Sequence, residues 1–299
     1  MKNSVKRLLA MIMAGAMAAS LTACGGSSDS APAADASAAG SSAAGSSAQD
    51  TDAGPVLSRI QKNGKMVLGT ASGYAPYEFI DISSANQDVI GIDIALGQKI
   101  AEKLGVDLEI QDTTFTATLA AVAADQVDIV IAGMSPTDER KETMDFSDVY
   151  LKAEQRILVR KEDADQYKEL SDFDGKTIAV QKTTTQEKIA QDLLTGATIN
   201  SLEKIPVCVL ELTSGKADAV VIESTVAQQY IMANPDLVLC DATFPEDRLY
   251  KNTAIAVPKG NEDFLAVINE VIKECQDEGL IDQWIEEYSA ICVENNKAA

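Results

Sequence analysis

Hydrophobic and polar positions divide the chain into three stretches with different rhythms. From Leu8 to Ala19 every residue is apolar or glycine, behind a start that carries Lys2, Lys6 and Arg7. From Gly25 to Gly54 there is no Val, Ile, Leu, Met or aromatic residue, and Ser, Ala and Gly dominate. Periodic patterns begin only after Pro55. "MVLGT" predicts a strand, and "IDIALGQKIAEKLG" predicts a helix with Ile94, Ile100, Ala101 and Leu104 near one face. "VDLEIQD" alternates as a strand does, "TATLAAVAADQ" is helical, and "VDIVIAG" is a buried strand. Beyond Tyr150 come strands at "RILVR" and "TIAVQ", a helix from about "TTQEKIAQDLL", the strand "ADAVVIES" and another helix. Two long helices, "EDFLAVINEVIKECQDEG" and "IDQWIEEYSAI", close the chain. Strands alternating with helices predict an α/β fold built on mainly parallel sheets.

The first two stretches predict no fold. A charged start, a short apolar run and small residues before a break describe an export signal over residues 1–23. The run is too short for a spanning helix, which needs about 20 apolar residues. "LTAC" followed by "GG" resembles the lipobox of bacterial lipoproteins, which implies cleavage before Cys24 and acylation of its thiol. Residues 24–54 then form a lipid-anchored tether that buries no core. A coil of that length spans roughly 30 Å. The remaining chain, from Pro55 to about Val293, suffices for two lobes.

Composition narrows the function. The formal charge is −21, and losing Lys2, Lys6 and Arg7 with the leader takes it to −24. Such a surface repels nucleic acid. The chain contains no histidine, which excludes Ser-His-Asp and Cys-His catalysis and every histidine-metal site. Apart from Cys24, the cysteines are Cys208, Cys240, Cys275 and Cys292, and none forms a CxxC pair. No zinc site, other metal or cofactor is expected, and the spacing gives no disulfide pairing.

Two strands echo each other. In "DQVDIVIAG" and "GKADAVVIES", aligning Asp128 with Asp218 puts Gly133 and Glu223 at the same place, the carboxyl end of a strand. Ligands of open α/β sheets sit beyond such ends. The first strand leads through "MSPTDER" to Arg140, in what reads as the first turn of a helix. A cation there opposes the helix dipole at a cost of about 0.3–1 kcal/mol, and a bound anion would explain it. The alternative, a surface ion pair with Asp138 or Glu142, meets the difficulty that residues two apart on a helix do not face each other.

Several motifs together carry a resemblance. "GYAPYEF", "GIDIALGQKIAEKLG", "AGMSPTDERKETMDFSDVY", "VQKTTTQE" and "SGKADAVVIES" look like the extracellular solute-binding proteins that deliver amino acids to ABC transporters, in that family's order. The resemblance implies a two-lobe, periplasmic-binding-protein-like clamp of type II. Residues 55–152 and 255–293 would form lobe 1 and residues 153–254 lobe 2, with crossings near Leu151 to Gln155 and near Asn252 to Val257. It also implies a non-catalytic monomer that captures a free amino acid and docks on a permease at the outer face of the cytoplasmic membrane. Some relatives are cyclohexadienyl or arogenate dehydratases, which is the enzymatic alternative.

The same resemblance assigns the site. Arg140 would grip the α-carboxylate, helped by Ser135, with Gly133 letting the strand end come close. A guanidinium suits that work through two parallel hydrogen bonds. Glu223 would receive the α-amino group. Thr185 and Gln186 open a helix whose free N–H groups can also meet the carboxylate, although ordinary capping by Thr184 or Thr185 accounts for the threonines equally well. Thr183 stands where the family commonly has Gly, and a β-branched residue resists positive φ. Tyr74 and Phe115 would sandwich the ligand's aliphatic part, Phe115 being alternatively plain core. Gln181 offers a polar side-chain contact. Ala71 stands where relatives specific for lysine or arginine often carry an acid, so a polar or neutral ligand is expected.

Overall fold

The computed structural model describes residues 54–298, so the leader, Cys24 and most of the tether lie outside the described residues. Eleven strands occur: β1 (Lys65–Thr70), β2 (Phe79–Ile80), β3 (Val89–Ile90), β4 (Asp107–Asp112), β5 (Ile129–Val130), β6 (Met144–Arg160), β7 (Thr177–Gln181), β8 (Thr198–Leu202), β9 (Ala219–Glu223), β10 (Leu237–Leu239) and β11 (Tyr250–Pro258). Nine of them join one sheet in the order β4-β1-β5-β11-β6-β9-β7-β8, with β10 added to β6, while β2 and β3 pair separately. At one end β4, β1 and β5 are parallel. At the other end β9, β7 and β8 are parallel. Between them the long strands β6 and β11 run antiparallel to each other and to their outer neighbours.

Leu151–Gln155 lies inside β6 and Asn252–Val257 inside β11. Their mutual register shifts at Thr253/Ala254 and again at Ala254/Ala256. Such irregularities add bend and twist to a strand pair. Helices cover the sheet because apolar positions recur at their turn spacing. In the helix Ile92–Leu104, Ile92, Leu96 and Ile100 are fully buried at four-residue steps, and Gly105 ends it in the left-handed conformation. Burying each such side chain contributes roughly 1.5–3 kcal/mol. The helix lies close on β1: a Cβ added at Gly97 would meet Leu68 Cδ1 at 2.3 Å.

Trp284 is buried in the core, in the terminal helix Leu280–Ala298. That helix leans on the helix Ser224–Ala233, where Gln229 Nε2 donates to Ser289 Oγ at 2.9 Å. The four described cysteines are buried free thiols. Among the described residues no helix is long and apolar enough to cross a membrane, and no cluster of candidate metal ligands occurs.

Several elements depart from the sequence pattern. The buried strand expected at "VDIVIAG" is paired over Ile129–Val130 only. The helix expected to carry Arg140 is one turn, Asp138–Lys141, capped by Thr137. A single turn has little macrodipole to oppose, so the dipole argument for Arg140 loses its force. The pattern does not announce the β2–β3 hairpin, strand β8 or the helix Ile205–Thr213.

Candidate functional site

A cavity of about 330 Å³, counted out to its mouth, opens between the two ends of the sheet. One wall comes from the segment after β1 and the turn after β5, the other from the loop after β7 and the helix Thr185–Leu193. The lining includes Tyr74, Phe115, Gly133, Ser135 and Arg140 on the first side and Gln181, Thr185 and Gln186 on the second. Of the nine expected ligand contacts, only Glu223 does not border the cavity.

Arg140 is partly buried. Its Nη1 donates to the Ser135 carbonyl at 2.8 Å, and its Nη2 donates across the cleft to the Thr183 carbonyl at 2.8 Å. Its Cζ lies 5.2 Å from the centre of the Phe115 ring. Burial pulls its pKa down to about 10, with only a weak opposing effect of Glu139. Asp138 pairs with Lys141 instead, and among the described residues Arg140 makes no ion pair. Beside it the buried Ser135 Oγ has no hydrogen-bond partner. A half-buried guanidinium without a counter-ion, next to an unused hydroxyl, is a pair of donors suited to an oxyanion.

Gly133 has φ +53°, and a Cβ there would meet the Tyr74 ring at 3.0 Å. Its N–H donates to Asp93 Oδ2 at 2.7 Å, and Tyr150 Oη donates to Asp93 Oδ1 at 2.7 Å. Thus its freedom serves packing against Tyr74 and an anchor on Asp93. Burial raises the Asp93 pKa to about 6, partly offset by those donors.

On the opposite wall Thr184 is the helix cap: its hydroxyl accepts from the Glu187 N–H and donates to the Gln181 carbonyl. Thr185 lines the cavity, and so does Thr184, which therefore both caps the helix and borders the cavity. Gln186 Nε2 donates to Tyr74 Oη at 3.2 Å, and Gln181 Nε2 donates to the Glu203 carbonyl at 3.2 Å. Thr183 does take positive φ, +60°, and its hydroxyl lies 3.1 Å from that of Thr116 across the cleft.

Glu223, expected to face a ligand ammonium, is fully buried behind another cation. Lys251 Nζ donates to its Oε2 at 2.6 Å, Tyr74 Oη donates to the same oxygen at 2.7 Å, and Tyr77 Oη donates to Oε1. Lys251 borders the cavity and lies 5.1 Å from the Tyr74 ring centre. The tyrosine hydroxyl pKa values stand well above the usual range, through burial first and the Glu223 charge second. Sequence reasoning missed Lys251. A lysine opening a strand is ordinarily solvated, and only β6, β9 and the tyrosine segment together bury it.

These features, a two-ended sheet crossed by two long strands with a cavity and the Arg140 guanidinium between its ends, agree with the comparison to known proteins. Residues 66–290 match the bacterial extracellular solute-binding proteins, family 3. The chain belongs to that family. It is 34% identical over 224 residues to the arginine-binding extracellular protein ArtP of Bacillus subtilis (strain 168), covering 73% of this chain and 84% of that protein. It is 25% identical over 233 residues to the L-cystine-binding protein TcyJ of Escherichia coli (strain K12), covering 78% and 85%. In solved structures it resembles an amino acid ABC transporter substrate-binding protein, AbpA of Streptococcus pneumoniae, bound to L-arginine: TM-score 0.77, 32% identity, 79% of this chain and 99% of that one. It also resembles the ancestral amino acid-binding protein AncCDT-1, a precursor of cyclohexadienyl dehydratase: TM-score 0.69, 34% identity, 78% and 98% covered. The family member described here is accordingly a solute-binding protein and not an enzyme, with a type II binding-protein fold.

Proposed function

We propose that this chain captures one free amino acid between two closing lobes and presents it to an ABC permease. The observation that carries the proposal is Arg140, a guanidinium at the cavity wall with no counter-ion and with the idle Ser135 hydroxyl beside it. The ligand's α-carboxylate occupies that place, helped by Thr185 at the start of the facing helix. Its ammonium turns to the acidic side of the cavity, where Glu78 and Glu223 lie. Phe115 and Tyr74 enclose its carbon chain. Lobe 1 comprises residues 55–152 and 255–293, lobe 2 residues 153–254, and β6 and β11 flex between them.

Relatives named for arginine and cystine support amino acids as the ligand class. Ala71 at the wall supplies no carboxylate for a basic side chain, which favours a polar or neutral ligand. The lipobox resemblance at Cys24 supports a monomer tethered by its lipid outside the cytoplasmic membrane. Calorimetry against the free amino acids tests this: one binds one-to-one, and Arg140→Ala abolishes that binding. Undiminished affinity in Arg140→Ala, or no binding of any amino acid, contradicts the proposal.

A further inference from the structure

The cavity has two acidic residues within reach, and they are not equivalent. Glu223 has no free oxygen: one takes Lys251 and Tyr74, the other Tyr77. Its lysine partner borders the cavity, and Glu223 does not. Lys251 therefore already supplies the ammonium that Glu223 would otherwise take from a ligand. A ligand could reach Glu223 only by breaking a buried ion pair, which leaves an uncompensated charge behind.

Glu78 is different. It is 1% exposed and borders the cavity beside Tyr74, yet its Oε2 has no hydrogen-bond partner. A buried carboxyl oxygen without a partner is costly unless something bonds to it there. The backbone fixes its place, because the Gly73 and Tyr74 N–H groups donate to the Glu78 carbonyl at 3.0 and 2.9 Å.

We infer that Glu78, and not Glu223, receives the ammonium of the bound amino acid, Lys251 having taken the ligand's place at Glu223. This rests on the amino acid reading above and specifies which carboxylate completes it. Three ionisable groups face Glu78. Asp93 faces it from the helix Ile92–Leu104, Glu223 from β9 and Lys251 from β11. Burial first, and Asp93 second, hold its carboxyl well above the ordinary carboxylate range, against the opposite pull of Lys251. An arriving ammonium favours the ionised form, so the proton on Glu78 leaves to solvent as the ion pair forms.

The test is calorimetry of the full chain at pH 7 with the amino acid that binds most tightly, in buffers of different ionisation enthalpy. The wild type releases protons as the ligand binds, and Glu78→Gln releases none and binds roughly 100-fold more weakly. Glutamine matches the neutral acid in shape, and circular dichroism confirms that the variant folds. Affinity of Glu78→Gln within about threefold of wild type, or no proton release by the wild type, overturns the assignment while leaving amino acid capture intact. Failure of every amino acid to bind overturns both.

Discussion

Glu223→Gln isolates the most heavily bonded group of the site. Glu223 is fully buried, its partner Lys251 is 5% exposed, and two tyrosine hydroxyls complete the cluster. The amide removes the negative charge but keeps the volume. Lys251 is then left as a buried ammonium without a counter-charge, and breaking one side of such a pair costs about 3–5 kcal/mol. The amide oxygen can still accept from one tyrosine, while its NH₂ now faces the other. In a domain of this size each kcal/mol is worth about 2–4 °C, so the melting temperature falls by roughly 10 °C. Removing the ammonium as well, in Glu223→Gln with Lys251→Met, recovers most of that loss, because no buried charge remains. Urea titration followed by far-UV circular dichroism and by the fluorescence of the single tryptophan, Trp284, measures Glu223→Gln, Lys251→Met and the double variant. A loss below about 1 kcal/mol in Glu223→Gln, or a double variant as unstable as the sum of the singles, refutes the pairing.

Two further predictions concern strain and protonation. Thr183→Gly relieves a β-branched residue at φ +60°, worth about 1–2 kcal/mol, against an entropic cost of about 0.5–1 kcal/mol; a small net gain in urea midpoint is expected, and a clear loss contradicts it. Asp93 has a folded pKa raised to about 6, so the folded state holds a proton that the unfolded chain has already lost. The stability this confers is complete below about pH 4 and disappears as pH rises through 6, a change on the order of 2–3 kcal/mol. The carboxyl carbon shift of Asp93 titrates near pH 6, and a midpoint below about 4.5 contradicts its burial.

Much of this fold can be read before any coordinates. The helices Ile92–Leu104 and Thr185–Leu193 carry their buried faces at turn spacing, and β7 and β9 are apolar runs between polar flanks. Strand β8, "TINSL", is mixed and half-buried, and its strand character comes from pairing with β7. "IPVCVLELT" is apolar enough to read as either element, and Pro206 in its first turn decides for the helix. At the site, Gly133, Ser135 and Arg140 stand out in the sequence because they follow the apolar run that contains β5. Thr183 is legible as a misfit and takes the strained angle. Lys251 is not legible, since its burial depends on Tyr74, Tyr77 and Glu223, residues far away in the chain. Glu78 says little in the sequence for a related reason: only the cavity reveals that one of its oxygens is unused.

The central claim is that a ligand carboxylate sits on Arg140. A crystal structure of the protein with its tightest-binding amino acid tests it most directly. The account predicts both α-carboxylate oxygens within hydrogen-bond distance of the Arg140 guanidinium, with the Ser135 hydroxyl donating to one of them. A bound amino acid whose carboxylate lies elsewhere, with Arg140 still turned to the Thr183 carbonyl, contradicts it.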